Sequence, residues 1–119
     1  MKAFHLSLAA ASLFLATATA ALADNFGAIA YSQHDGASSH SFDYGSRDEA
    51  EERAMQECGP GCAIVLWFKN GCGALAGGQG YGYGVGWGAN REEAESLALS
   101  ACRERTGECA AVRWACTTR

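Results

Sequence analysis

The chain has 119 residues, with nine Lys and Arg against thirteen Asp and Glu, three His and six Cys, and a formal net charge of −4. That is one domain's worth of chain, and an acidic one, which argues against partners that present phosphate backbones or anionic lipid heads. Nucleic acid is therefore excluded as the expected partner.

The N-terminus places Lys2 ahead of an apolar run from Leu6 to Leu15, and the small residues Ala21 and Ala23 stand just before Asp24. A basic start, an apolar middle and small residues three and one before a cut read as a cleavable signal peptide over residues 1–23. A retained anchor is the alternative, but the strongly apolar stretch is shorter than the ~20 residues a bilayer span needs. Cleavage removes Lys2 and His5 and leaves residues 24–119 as a single domain with no membrane span, eight basic residues facing thirteen acidic ones, a net charge of −5. A chain of that size has a marginal core without staples.

In the first half, strands from Phe26 to Gln33 and from Ser38 to Tyr44 flank His34-Asp35-Gly36-Ala37, and Asp-Gly is a strong hairpin signal. A helix starts at Ser46, which forms a capping box with Glu49. Its residues Ala50, Ala54 and Cys58 stack one turn apart. Ala63 to Phe68 is a continuous apolar run, which predicts a strand buried on both faces.

The second half repeats the first. Gly27-Ala28-Ile29-Ala30 recurs as Gly73-Ala74-Leu75-Ala76, and Arg47-Asp48-Glu49-Ala50-Glu51 as Arg91-Glu92-Glu93-Ala94-Glu95. Cys58 matches Cys102, and Cys62-Ala63-Ile64-Val65-Leu66-Trp67 matches Cys109-Ala110-Ala111-Val112-Arg113-Trp114. Two copies are too few for a solenoid, so halves of about 26–70 and 72–116 share one core. Within the second half Gly77 to Gly88 is a glycine-rich segment that carries Tyr81, Tyr83, Val85 and Trp87 at alternate positions. A second helix begins at Asn90 with Glu93 and carries Ala94, Leu97, Ala98, Ala101 and Cys102 as an apolar stripe. The last strand, Ala110 to Ala115, is interrupted by Arg113 and belongs nearer an edge. The expected fold is α+β: a duplicated strand-strand-helix-strand unit, mostly antiparallel, with two helices, built as one sheet or as two smaller packed sheets and stapled by disulfides.

Symmetry between the halves proposes Cys58–Cys62 and Cys102–Cys109 as equivalent helix-to-strand bridges and leaves Cys72 for Cys116, one of 15 connectivities that six cysteines allow. Chain entropy makes the local bridges worth about 2–2.5 kcal/mol each and the long one about 4 kcal/mol. Metal binding through these thiols is the competing reading, but zinc pairs have tighter spacings and exported cysteines are oxidised; no metal or other cofactor is expected.

Read as a strand, Tyr81, Tyr83, Val85 and Trp87 share one face and glycines the other. His40, Phe42 and Tyr44 form the matching face in the first half. The stripe is read as core at the Val85–Trp87 end, with the glycine face admitting a close neighbour. Tyr81 and Tyr83, with His40, reach the surface as a possible ligand platform for sugar rings or a partner protein. His34 and His40 lie near Asp35, Asp43, Ser38 and Ser39, but turns are rich in such residues and no nucleophile elbow is present. No catalytic residue is assigned.

The pieces Gly27-Ala28-Ile29-Ala30-Tyr31-Ser32, Cys58-Gly59, Cys62 through Trp67-Phe68-Lys69-Asn70-Gly71-Cys72-Gly73-Ala74-Leu75-Ala76, and Val112-Arg113-Trp114-Ala115-Cys116 resemble the domain of unknown function 4189 family. The resemblance implies a small secreted or periplasmic bacterial domain and carries no activity to transfer. The reading that results is an exported disulfide-bonded binding module whose partner is an unknown protein or cell-envelope ligand. A small envelope hydrolase using His34 or His40 is the alternative.

Overall fold

The computed structural model describes Ser12 and residues 24–119, so the expected signal peptide lies, apart from Ser12, outside the described residues. Phe26–Tyr31 forms β1, Ser38–Tyr44 β2, Arg47–Cys58 α1, Ala63–Lys69 β3, Cys72–Gly77 β4, Tyr83–Gly88 β5, Arg91–Arg103 α2 and Ala110–Cys116 β6. A single 3-10 turn at Gln79–Tyr81 stands between β4 and β5. The strands make two antiparallel three-stranded sheets, β2-β1-β3 and β5-β4-β6. The element order is thus strand-strand-helix-strand twice, one sheet and one helix from each half, in an α+β fold.

The local signals account for the element ends. The Ser46 side chain accepts from the Glu49 N–H, and the Asn90 side chain accepts from the Glu93 N–H, each relieving an orphan donor of a first turn. Gly36 carries the β1–β2 turn at φ 76°, a conformation that glycine adopts without steric penalty. The register also repeats. In β3 the ladder slips between the partners of Ile29 and Ala30, at Val65, and in β6 between those of Leu75 and Ala76, at Val112. One extra residue in each edge strand is a β-bulge, and both copies have it at the same place.

Three apolar layers hold the molecule together. Ala28 and Ala30 of β1 face Ala50 and Ala54 of α1. Ala74 and Ala76 of β4 face Ala94, Ala98 and Cys102 of α2. Ile29, Tyr31, Phe68, Leu75 and Ala115 fill the space between the sheets, flanked by Tyr83 and Val85. The order of layers is α1, first sheet, second sheet, α2. The central strands β1 and β4 are therefore covered on both sides, with alanine toward the helix and a larger side chain toward the other sheet.

The three disulfides are Cys58–Cys62, Cys102–Cys109 and Cys72–Cys116, the connectivity that the symmetry of the repeat proposes. The first two tie each helix end to the next strand. The third joins directly paired residues of β4 and β6, where the first half has the pair Phe26 and Lys69.

Four sequence expectations need correction. The apolar run Ala63 to Phe68 lies in the edge strand Ala63–Lys69 with only Phe68 buried, because β1 takes the centre of its sheet. Tyr81 is not part of the glycine-aromatic strand, which begins at Tyr83. Trp87 is 66% exposed rather than core: its end of β5 extends past Val85, where the inter-sheet layer stops. Leu97 is exposed as well, since α2 lies so close to β5 that only its Ala and Cys positions fit beneath it.

The closeness has a specific cause. A Cβ on Gly84 would stand 2.6 Å from the Ala98 carbonyl oxygen, and one on Gly86 2.5 Å from that of Ala94. The glycine face is what lets the helix backbone rest on the strand. In the first half the corresponding positions are Ser39 and Ser41, whose hydroxyls donate to the carbonyls of Ala54 and Ala50.

Candidate functional site

Where two three-stranded sheets stack, their outer strands leave an opening on each side. On one side β2 of the first sheet meets β6 of the second around a cleft of about 580 Å³ whose walls include His40, Phe42, Arg113, Trp114 and Thr118. On the other, β3 meets β5 around a cleft of about 520 Å³ that includes Val65, Leu66, Trp67, Lys69 and Trp87. Both volumes fall in the range of small-ligand sites, about 300–1,000 Å³. The two clefts correspond through the repeat. His40 and Val85 pair with Ile29 and Leu75 respectively, and Leu66 and Arg113 pair with the same two residues from the other side. By the same register Trp67 matches Trp114, and two residues beyond His40 and Val85 stand Phe42 and Trp87.

Each cleft has a tryptophan set in the same way. Arg47 of α1 lies over the Trp67 ring, 4.6 Å from its centroid, and Arg91 of α2 lies over Trp114 at 4.1 Å. The arginines are held in turn, Arg47 by Glu51 at 2.6 Å and Arg91 by Glu95, one helical turn on. Trp67 and Trp114 are each 41% exposed. A cation over one face of an indole, itself fixed by a carboxylate, orients the ring while leaving part of it to solvent. All three tryptophans of the chain are exposed and all three line these clefts.

The clefts differ in polarity. In the first, Arg113 donates from Nε to Ser38 Oγ at 2.8 Å, and its Nη1 lies 2.8 Å from His40 Nδ1. An arginine only donates, so Nδ1 is the acceptor and His40 is neutral with its proton on Nε2. Burial, followed by the adjacent guanidinium, pushes the His40 pKa below the usual histidine value, with Glu57 opposing. Asp43, at φ 62°, accepts from the backbone N–H and the hydroxyl of Thr118, and those bonds hold its carboxyl below the ordinary carboxylate range. In the second cleft Leu66 stands in place of Arg113, while Val85, the register match of His40, packs in the layer between the sheets, so the walls are apolar apart from Lys69.

The residues singled out from sequence do not gather at one point. His40 lines the first cleft. Tyr83 lies between the sheets against Tyr31, ring centroids 5.2 Å apart, with the Arg105 guanidinium 5.5 Å from its own centroid. Tyr81 is exposed in the 3-10 turn, its carbonyl accepting from the Tyr31 hydroxyl and its ring against Gly36. Neither tyrosine lines either cleft. His34 is exposed in the β1–β2 turn, where its N–H donates to Ser32 Oγ. Among the described residues no serine hydroxyl bonds to either imidazole ring: Ser32 meets only the His34 backbone, Ser39 and Ser41 are turned to α1, and Ser38 to Arg113, while Asp43 is turned to Thr118. All six cysteines are in disulfides. Among the described residues no group of three or more His, Cys, Asp or Glu could hold a metal ion.

The residues that sequence reasoning passed over are Trp67, Trp114, their arginines and Arg113. A signal for them existed. Arg47 and Trp67 recur as Arg91 and Trp114 within segments already matched by the repeat, and an Arg–Trp pair that survives in both copies marks a shared contact.

Among the described residues no helix is long and apolar enough to cross a membrane. No curated protein and no solved structure matches the chain. The model of one family, described as a domain of unknown function (DUF4189), matches residues 26–116, which takes in every strand and helix from β1 to β6, and the chain belongs to that family.

Proposed function

We propose that this chain is an exported binding module that holds ring-bearing envelope ligands, sugars foremost, in its two aromatic clefts. Export rests on the basic, apolar and small-residue pattern of residues 1–23 and is consistent with three disulfides, which persist in oxidising compartments. The periplasm or the exterior of a bacterial cell is the place of action. The observation that carries the binding reading is the repeated platform: Glu51, Arg47 and Trp67 in one copy, and Glu95, Arg91 and Trp114 in the other. A helix–sheet fold gains little by keeping three large indoles at the surface, whereas flat aromatic faces beside a few polar groups suit the apolar face of a pyranose and its hydroxyl edge. The hydrolase alternative finds less support, because the imidazole inside a cleft has its acceptor nitrogen occupied by Arg113.

The test is titration of residues 24–119 with N-acetylglucosamine oligomers and with acidic sugars, followed by tryptophan fluorescence. Saturable quenching that is reduced by Trp67→Ala or Trp114→Ala, with the fold retained by circular dichroism, is expected. No response to any of these sugars overturns the reading. An intact-mass measurement of the exported protein checks the cut before Asp24; a species retaining residues 1–23 overturns the leader.

A further inference from the structure

The geometry points to the cleft between β2 and β6 as a subsite for a pyranose that bears a carboxylate, with Arg113 as the group that reads the charge. This rests on the sugar-binding reading above and adds to it the class of sugar and the cleft that takes it.

The first argument is that the fold does not need a cation there. The same position in the other copy is Leu66, paired to β1 as Arg113 is to β4, and the bulge, the tryptophan and its arginine are all preserved around it. The second is that the charge of Arg113 is left unbalanced. Among the described residues no carboxylate stands within ion-pair distance of it; its two bonds go to a hydroxyl and a neutral imidazole. Those use two of five donors in a planar fork that matches a carboxylate's two oxygens. The nearby acids are engaged elsewhere, Asp43 with Thr118 and Glu57 with Arg53 at 2.8 Å. A half-buried guanidinium whose charge no carboxylate balances, in a cleft that also holds Phe42 and Trp114, favours a ligand that brings the missing negative charge. The third argument is the body such a ligand needs. Trp114 and Phe42 flank the cation, and the Phe42 ring is stacked on His40, 19° from coplanar, so the cleft offers flat faces to a ring beside the charge. One guanidinium matches a single carboxylate; it undercompensates a phosphate.

The experiment uses residues 24–119 labelled with ¹⁵N and follows the Trp114 indole N–H and the Arg113 Nε–H during titration with N-acetylmuramic acid, glucuronate, N-acetylglucosamine and inorganic phosphate. N-acetylmuramic acid and N-acetylglucosamine share a ring and differ by the lactyl carboxylate; glucuronate carries its carboxylate on the ring carbon instead. Expected are shifts of both signals with at least one acid, about tenfold or more tighter than with N-acetylglucosamine, the gain of one charge-assisted pair. Which acid wins tells whether the charge is read on the ring or on its side arm. Arg113→Leu, which copies the other cleft, should abolish the preference for acid, and Arg113→Lys should keep only part of it. Equal affinity for acidic and neutral sugars, an acid preference that survives Arg113→Leu, or phosphate competing as well as the acids would each overturn the assignment. Neutral sugars binding beside Trp67 without any acid preference beside Trp114 would leave the sugar-binding module standing and remove only this subsite.

Discussion

Ser41 and Gly86 occupy the same place in the two halves, each on the strand face beneath a helix, and they solve the same contact in opposite ways. The Ser41 hydroxyl donates to the Ala50 carbonyl at 2.6 Å, while Gly86 leaves no room at all, a Cβ there falling 2.5 Å from the Ala94 carbonyl oxygen. One helix rests on hydroxyls and the other on bare backbone.

The two positions should therefore respond unequally to alanine. Gly86→Ala must push α2 off β5 against backbone that has no rotamer to adjust, and overpacking of that kind costs about 1–3 kcal/mol or more. Ser41→Ala removes a single bond to a carbonyl that already accepts from within the helix, at a cost of about 1 kcal/mol. Urea denaturation of both variants checks the order; an equal or larger loss at Ser41 would show that α2 yields more readily than its contacts suggest.

The disulfides should rank by the loop each closes. Cys72 and Cys116 are 44 residues apart, against 4 for Cys58–Cys62, so chain entropy assigns the long bridge about 4 kcal/mol and the short one about 2 kcal/mol. Replacing both cysteines of each bridge by alanine and comparing melting temperatures measures the difference. The long bridge also joins the central strand of its sheet to β6, which carries Arg113 and Trp114, so its loss should loosen the first cleft before the second.

Much of this fold was legible because its signals are local. Ser46 and Asn90 announce helix starts, Asp35-Gly36 announces a turn, and the repeat relates the cysteines without any knowledge of distance. What was not legible depends on which strand takes the centre of each sheet. Ala63–Phe68 reads as a buried strand on hydropathy alone, yet the alanine-rich Phe26–Tyr31 is central, because only small side chains let α1 lie on it. The same uncertainty hid the clefts. They form between strands of different halves, His40 meeting Arg113 across 73 residues, and neither residue carries a mark of the other in sequence.

Phe68 and Trp87 should exchange the roles that hydropathy suggests for aromatic residues on these two strands. Phe68 is 3% exposed in the layer between the sheets, and its truncation to alanine should cost about 3–5 kcal/mol. Trp87→Ala should stay within about 0.5 kcal/mol, as changes at surface positions do, and alter only ligand response at the second cleft. Thermal melts decide; a large loss at Trp87 would mean that the indole covers apolar surface that the fold requires.

The last prediction concerns pH. His40 is held neutral by burial and then by Arg113, with its pKa below the ordinary 6.5. In the unfolded chain it takes up a proton near 6.5, earlier than in the folded one, so the unfolded state binds more protons in the window just under that value. The contribution of His40 to stability is thus complete above pH 6.5 and is lost as pH falls from there through the folded pKa. Asp35 and Asp43, both held below the ordinary 3.8, lose theirs in a separate window, as pH falls below about 4. Two acid steps in stability are expected, and His40→Gln should remove the upper one while leaving the lower. Arg113→Leu removes the second cause of the shift, so an NMR titration of the His40 ring should show its pKa rise in that variant. A ring that titrates at or above 6.5 in the unmodified protein would mean that Nδ1 does not accept from Arg113 in solution, and the charge of Arg113 would then be balanced differently from the arrangement described for this cleft.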